Sequence, residues 1–253
     1  MQTPAIRAQD LTIQFDAEPL LRSIQLSVNE GEIFVIIGPS GHGKSVLLKA
    51  LAGILRPQQG RVEIHGESLY EMPELERARV MRKMGMLFQK NALFDSLTVA
   101  ENIAFPMREV TSLPESEIQL KVDFFLEAVG ISHARDLHPH EISGGMQKRL
   151  GIARALALDP REIFYDDPTA GLDPSTSRKI IQLIIDMQKK NRSTAIAITN
   201  DMARAYQMAD RIGMVVDGDF IVTGTVQETK AHSDPRVHQF ITGELNGPLM
   251  VIT

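Results

Sequence analysis

Cysteine is absent from all 253 residues, which excludes disulfides and cysteine-ligated metals and leaves a reducing compartment compatible. Basic runs are absent as well. The formal net charge is −5, and a mildly acidic chain without a basic patch argues against nucleic acid as the main partner. Long hydrophobic runs are missing: the longest, such as Ile33–Ile37, are strand-sized, whereas a membrane span needs about 20 apolar residues. The opening MQTPAIRAQDLTIQF has no basic stretch followed by an apolar one, so no signal peptide is expected. What is present is ordinary for a soluble globular chain: 43% hydrophobic and 23% charged residues, at a length that supports one large domain or two small ones around a real core.

The N-terminal third reads as β-rich. Leu11, Ile13 and Phe15 alternate with polar residues, as do Ile24, Leu26 and Val28, which suits half-buried strands. Ile33–Ile37 is continuously apolar, the pattern of a strand covered on both faces. A glycine-rich stretch follows, then a helical pattern of Val46, Leu47, Leu48, Leu51 and Leu55, closed near Pro57. From about Lys90 to Asp159 the character turns helical. Ser112-Leu-Pro-Glu115 predicts a capping box opening a helix with Ile118, Val122, Phe125 and Val129 on one face, stopped at Gly130. After Pro160 the β/α alternation resumes with a strand at Ile163–Tyr165, an amphipathic helix over Lys179–Lys190, a strand at Thr194–Ile198 and a hairpin turning at Asp217-Gly218 within Met214–Ile221. No repeat or low-complexity linker interrupts the chain, and the tail from about Asp234 has no assigned element.

Three motifs carry chemistry. Gly38-Pro39-Ser40-Gly41-His42-Gly43-Lys44-Ser45 fits G-x-x-x-x-G-K-[ST], a loop whose glycines let backbone N–H groups converge on a phosphate at a helix start. Lys44 would reach the β- and γ-phosphates and the Ser45 hydroxyl would ligate Mg²⁺, with His42 in a packing or solvent role. Asp166 and Asp167 end an apolar strand. Alone, such residues are as readily a turn or a helix cap; downstream of a phosphate loop they point to Asp166 holding Mg²⁺ through its water shell. Ile142-Ser143-Gly144-Gly145-Met146-Gln147 opens an Ala/Leu-rich helix. It is either an ordinary N-cap or a second phosphate-suited helix start, and a single nucleotide does not need two such loops.

In order and spacing, GPSGHGKS, Gln89 in MLFQ, ISGGM, YDDP, AGLD at 170–173 and TND at 199–201 resemble the ABC ATPase family across essentially the whole chain. The resemblance implies an α/β fold: a P-loop NTPase RecA-like core with an N-terminal antiparallel β-subdomain and a helical subdomain carrying the signature. The implied divisions are 1–90 and 160–233 for the core, 91–159 for the helical subdomain and 234–253 for the tail. It implies ATP and Mg²⁺ as ligands, held by Gly38, Pro39, Ser40, Gly41, Gly43, Lys44, Ser45 and Val46 of one subunit and by Ser143, Gly144 and Gly145 of another, paired head to tail. Gln89 is implied to contact Mg²⁺ or water and to sense a permease, Asp173 to serve as the D-loop aspartate, and Phe15 to stack on adenine, although a lone strand phenylalanine is equally a core residue. MLFQKNALFDSLTVAENIAFPMREVTSLP, the SGGM form of the signature and the tail DPRVHQFITGELNGP are similar to ATP-binding subunits of Mce-type phospholipid transporters. That similarity implies lipid cargo, an integral membrane permease, a Mce-type lipid-binding protein as a further partner, and a cytoplasmic, peripheral place on the inner membrane. Phe94 and Leu97 would either receive a permease helix or pack internally.

Two positions depart from the family pattern. Asp167 replaces the usual Glu that orients the attacking water, and its carboxylate sits about 1 Å back on the shorter stem, a misplacement that can cost about 100-fold unless the backbone compensates. Asn200 replaces the usual His; it keeps an amide donor but cannot take up a proton. Three readings follow: a homodimeric transporter ATPase with slow turnover, favoured here; the hydrolysis-impaired cassette of a heterodimer; and an ATP-gated clamp without turnover.

Overall fold

The computed structural model describes residues 4–249. Two sheets organise it. The first is antiparallel, ordered β2-β1-β4-β5, from β1 (Ile6–Gln14), β2 (Pro19–Val28), β4 (Gln59–Ile64) and β5 (Glu67–Ser68). The second is ordered β10-β9-β3-β8-β7-β6, from β3 (Ile33–Ile37), β6 (Met84–Leu87), β7 (Glu162–Asp166), β8 (Thr194–Ile198), β9 (Arg211–Val216) and β10 (Asp219–Gly224). Within it β9, β3, β8, β7 and β6 run parallel and only β10 is antiparallel.

Parallel neighbours need crossovers. The stretch from β3 to β6 includes α1 (Lys44–Leu51) and α2 (Glu74–Met81). Between β6 and β7 lie α3 (Val99–Val110), α4 (Glu115–Ala128) and α5 (Gly144–Leu156). Then α6 (Pro174–Asn191) leads to β8 and α7 (Met202–Met208) to β9. Every residue of β3, β7 and β8 is buried. Their period-2 alternation divides the interior. Ile33, Val35, Ile37, Ile163, Tyr165, Ala195 and Ala197 point into a core shared with α3 to α6. Phe34, Ile36, Phe164, Ile196 and Ile198 point the other way, against Leu47, Leu48 and Leu51 of α1 and the inner face of the antiparallel sheet. The helix that follows the phosphate loop is therefore held between two sheets.

The expected strands and the hairpin form. The turn between β9 and β10 puts both Asp217 (φ 51°) and Gly218 (φ 84°) in the left-handed region, as a two-residue hairpin requires. The helix expected over 179–190 extends from Pro174 to Asn191 because Asp173 caps it and Pro174 starts it. Gly130 (φ 70°) ends α4 as expected, with Ile131 N donating to Leu126 O at 2.9 Å. The capping box expected at Ser112–Glu115 does not form. Pro114 precedes α4 without a side-chain cap, and Glu115 turns to Arg108 instead. A reciprocal box does form fourteen residues upstream of that site, between Thr98, which caps α3, and Glu101 in its first turn. Part of the unassigned tail is helical: Asp234 caps α9 (Pro235–Thr242), preceded by α8 (Val226–Lys230). Residues 250–253 of that tail lie outside the described residues.

Candidate active site

Four adjacent parallel strands, β3, β8, β7 and β6, deliver their C-terminal ends to one edge of the large sheet, where ligands of open α/β sheets bind. Gly38–Gly43 leaves β3, Thr199–Asp201 leaves β8, Asp166 and Asp167 end β7, and Gln89 follows β6 in an exposed turn.

Gly38, Gly41 and Gly43 have φ of 137°, 83° and 97°, a curl that side-chain-bearing residues resist. At Gly38 a Cβ would overlap the Val215 carbonyl oxygen of β9, so the loop's departure from the sheet depends on glycine. Lys44, only 7% exposed, folds back and donates to Gly38 O and Pro39 O, both at 2.7 Å. Burial lowers its ammonium from the ordinary 10.5 to about 8, and the Asp167 and Asp166 carboxylates oppose that fall. Ser45 Oγ donates to Asp166 Oδ1 at 2.9 Å, across 121 residues of sequence. A hydroxyl and a buried carboxylate in contact are the sparse hard-oxygen pair that suits Mg²⁺, which takes one or two protein oxygens and fills its remaining positions with water and phosphate. No group of three or more His, Cys, Asp or Glu side chains that could hold a metal ion occurs among the described residues. Val46 lies half-buried on α1 behind the loop.

Asp167 has a left-handed backbone (φ 51°), which Asp tolerates better than most residues, and its N–H donates to Ile198 O at 3.1 Å. Burial raises its carboxyl. Lys148 most strongly opposes the rise, Asp166 adds to it, Lys44 opposes it and Asp201 adds to it. Asn200 Nδ2 donates to Ser40 Oγ at 3.2 Å, so the residue in place of the usual His reaches the phosphate loop. Asp167 and Asn200 line one cavity of about 470 Å³ with Thr169 to Leu172, Ser177 and Arg204. His42 takes the packing role expected of it, its Nδ1 accepting from Asp217 N at 3.2 Å and tying the loop to the β9–β10 turn.

Phe15 is 60% exposed at the end of the antiparallel sheet, which removes the core alternative for it. Phe94 is 42% exposed yet packs on Phe105 with ring centroids 4.7 Å apart, under the Arg154 guanidinium; Leu97 is half-buried. Asp173 Oδ1 accepts from Ser175 N and Thr176 N at 2.9 and 3.0 Å, so within one chain its carboxylate is a helix cap. Ser143 caps α5, accepting from Met146 N at 3.3 Å, while Ser143 and Gly144 face solvent with nothing within 4 Å of a Cβ at Gly144. Among the described residues, no hydrogen bond joins Ser143–Gly145 to residues 38–46. Sequence reasoning missed Lys148, 4% exposed beside the two aspartates. Its signal was helical phase: Lys148, Gly151 and Ala155 share a stripe of α5 that its buried neighbours mark as inward.

The family model described as ABC transporter matches residues 21–170. The chain belongs to the ABC transporter ATP-binding family and is an ATPase of that class, with the α/β cassette fold. Among solved structures it resembles the dimeric ATP-binding cassette MJ0796 in a post-hydrolysis state bound to ADP and Pi, with a TM-score of 0.82 and 29% identity over 87% of this chain and 98% of that one. It also resembles cbiO1 from Clostridium perfringens, part of the complex cbiONQ, with a TM-score of 0.80 and 29% identity over 96% of both chains. Among relatives, the intermembrane phospholipid transport system ATP-binding protein MlaF of Haemophilus influenzae is 38% identical over 98% of this chain and 94% of its own length. The probable ribonucleotide transport ATP-binding protein mkl of Mycobacterium leprae is 38% identical over 97% of this chain and 71% of its own length.

Proposed function

We propose that this ATPase is the nucleotide-driven subunit of a phospholipid transporter, working as a head-to-tail pair on the inner face of a membrane and closing on ATP to move a permease. One observation carries the pairing. A single chain presents two phosphate-suited helix starts, one at Gly43–Ser45 with Lys44 buried, the other opening at the solvent-facing Ser143 and Gly144. Two copies related by a two-fold axis would bring the second against the nucleotide held by the first, making two composite sites. MJ0796, similar over most of its length, is dimeric with ADP and Pi.

In each site Lys44 would release the Gly38 and Pro39 carbonyls and pair with the β- and γ-phosphates, and Phe15 would stack on the base. Ser45, Asp166 and Gln89 would hold Mg²⁺, which neutralises developing phosphate charge. Asp167, its carboxyl raised by burial, would orient the attacking water and accept its proton; Asn200, already at Ser40, would donate to a phosphate oxygen. Asp173 would keep its α6 cap while its remaining carboxylate oxygen faces the partner copy. The phospholipid cargo rests on the relatives: MlaF matches along 94% of its length, mkl along only 71%. A permease helix would dock beside Gln89, at exposed Phe94. No helix among the described residues is long and apolar enough to cross a membrane, so the chain would act there through its permease and a Mce-type lipid-binding protein. Residues 91–159 would move as one helical unit against the core of 1–90 and 160–233.

Phosphate release measured across protein concentrations, with Lys44→Ala as blank, tests this reading. Turnover rising faster than linearly and absent from the blank is the expected result. Linear turnover would refute the composite site. Mg·ATP binding without turnover would favour the heterodimer or clamp. Co-purification of a multi-span permease with bound phospholipid is expected; recovery with ribosomes or DNA would refute transport.

A further inference from the structure

One stripe of α5 grips the turn after β6. Lys148 Nζ donates to Gln89 O at 3.2 Å, and Arg154 donates from its two terminal nitrogens to Ala92 O at 2.7 Å and Asn91 O at 2.8 Å. Between them sits Gly151, where a Cβ would lie 2.9 Å from Leu87 Cδ1 and 3.2 Å from Asn91 Cβ. The spacing 148, 151, 154 places all three on one helix face. The turn is shaped to meet them: Asn91 and Ala92 are both left-handed, with φ of 59° and 50°. Closer to the C-terminus of α5, Gly85 of β6 lets the Ala155 carbonyl approach where a Cβ would collide. Helix, strand and turn are thus in direct backbone contact.

The two cations differ in what else they meet. Arg154 covers Phe94, an anchoring contact. Lys148 has Gln89 O as its one hydrogen-bond acceptor among the described residues, although a lysine ammonium carries three donors. Burying an ammonium with so few partners is costly: burial lowers the Lys148 ammonium from its ordinary value, and the Asp167 and Asp166 carboxylates oppose that fall without cancelling it. Lys148 therefore touches the carbonyl of Gln89, feels the acids at the end of β7, and sits four residues into the helix that begins at Gly144.

We propose that Lys148 is a positioning residue that couples the Gln89 turn at the edge of the core to the Ser143–Gly145 helix start of the helical unit, so that ATP engaged at Gln89 in one site sets the loop offered to the other site. This deepens the functional reading above and rests on it. Lys148 does not touch substrate; it acts through Gln89 and α5.

The test uses the full chain with Mg·ATP and compares Lys148→Met with Lys148→Arg. Methionine fills similar volume without charge or donors, so a merely space-filling role would leave turnover intact. The expected result for Lys148→Met is kcat lower by about tenfold with KM for ATP within about twofold, the signature of a lost transition-state alignment and not of lost binding. Lys148→Arg, keeping charge and donors, is expected to recover kcat to within about threefold of the unaltered chain. Hydrogen exchange supplies a second readout. In Lys148→Met, ATP should still protect amides 38–46 but no longer those of 144–150. Unchanged kcat with unchanged protection at 144–150 would overturn the inference, as would joint loss of protection at both segments or an arginine variant no better than methionine. Absence of ATP protection at 38–46 in the unaltered chain would instead overturn the nucleotide reading beneath it.

Discussion

Gly38 and Gly41 belong to one loop and both have positive φ, yet the same substitution should cost them very different amounts. At Gly41 (φ 83°) a Cβ would meet nothing within 4 Å, so alanine pays only the left-handed backbone term, about 1–2 kcal/mol. At Gly38 (φ 137°) the Cβ would overlap the Val215 carbonyl oxygen and lie 3.1 Å from its carbon and 3.3 Å from the Val215 nitrogen. These are main-chain atoms of β9, paired with β3 through Ile36–Gly213 and Ile37–Met214, and they cannot swing aside as a side chain would. The backbone term of about 1–3 kcal/mol then adds to an overpacking term of about 1–3 kcal/mol, for a total of about 2–6 kcal/mol with a midpoint of about 4. A chain of this size loses about 2–4 °C of Tm per kcal/mol, so at the midpoints of these ranges Gly38→Ala should lower Tm by about 12 °C and Gly41→Ala by about 4–5 °C. Thermal unfolding of the two variants without nucleotide measures this directly. Equal losses, or the larger loss at Gly41, would refute the argument that the approach of β9 dictates glycine at position 38.

Phe15→Ala should weaken ATP binding by about 1–2 kcal/mol, roughly tenfold in Kd by titration, because base–aromatic stacking is of that size; Tm should hardly move, since the ring is 60% exposed. Lys44 gives a pH dependence. Its folded value is about 8 and its ordinary value 10.5, so between those pH values the unfolded chain holds a proton the folded chain has lost, and the residue's contribution to stability rises with pH across that window. Phosphate binding should restore the proton, so calorimetry near pH 8.5 in buffers of different ionisation enthalpy should show proton uptake with Mg·ATP, absent in Lys44→Met. Asp167→Asn should abolish turnover by at least about 100-fold while leaving ATP affinity within about threefold, since it removes the proton acceptor and keeps the shape; turnover surviving in that variant would remove Asp167 from catalysis.

The motifs were legible along the chain because each is a local requirement. Glycines at 38, 41 and 43 are needed for the loop's backbone, alternating apolar residues for half-buried strands, and an uninterrupted apolar run for a strand covered on both faces. The hairpin at Asp217-Gly218 and the stop at Gly130 were readable for the same reason: both depend on the left-handed backbone of one or two residues. Ser112 opens no capping box because Glu115 has a competing partner in Arg108, a residue of another helix whose proximity no local pattern reports. The helix α6 begins five residues before the expected Lys179 because Asp173 caps it, a role its place in the AGLD motif does not announce.

What only tertiary structure decided was adjacency. Ser45 and Asp166 meet across 121 residues, and Ser40 and Asn200 across 160, because β8 inserts between β3 and β7 in the sheet. The exposure of Phe15 and the burial of Lys148 were decided in the same way. An aromatic at a strand end can stack or be buried, and a lysine on a helix can face water or two aspartates; which occurs depends on the neighbours that other elements bring. Local sequence sets what a backbone can do and what a side chain could donate or accept. The distance and dielectric that turn those capacities into a site arise only when the sheet assembles.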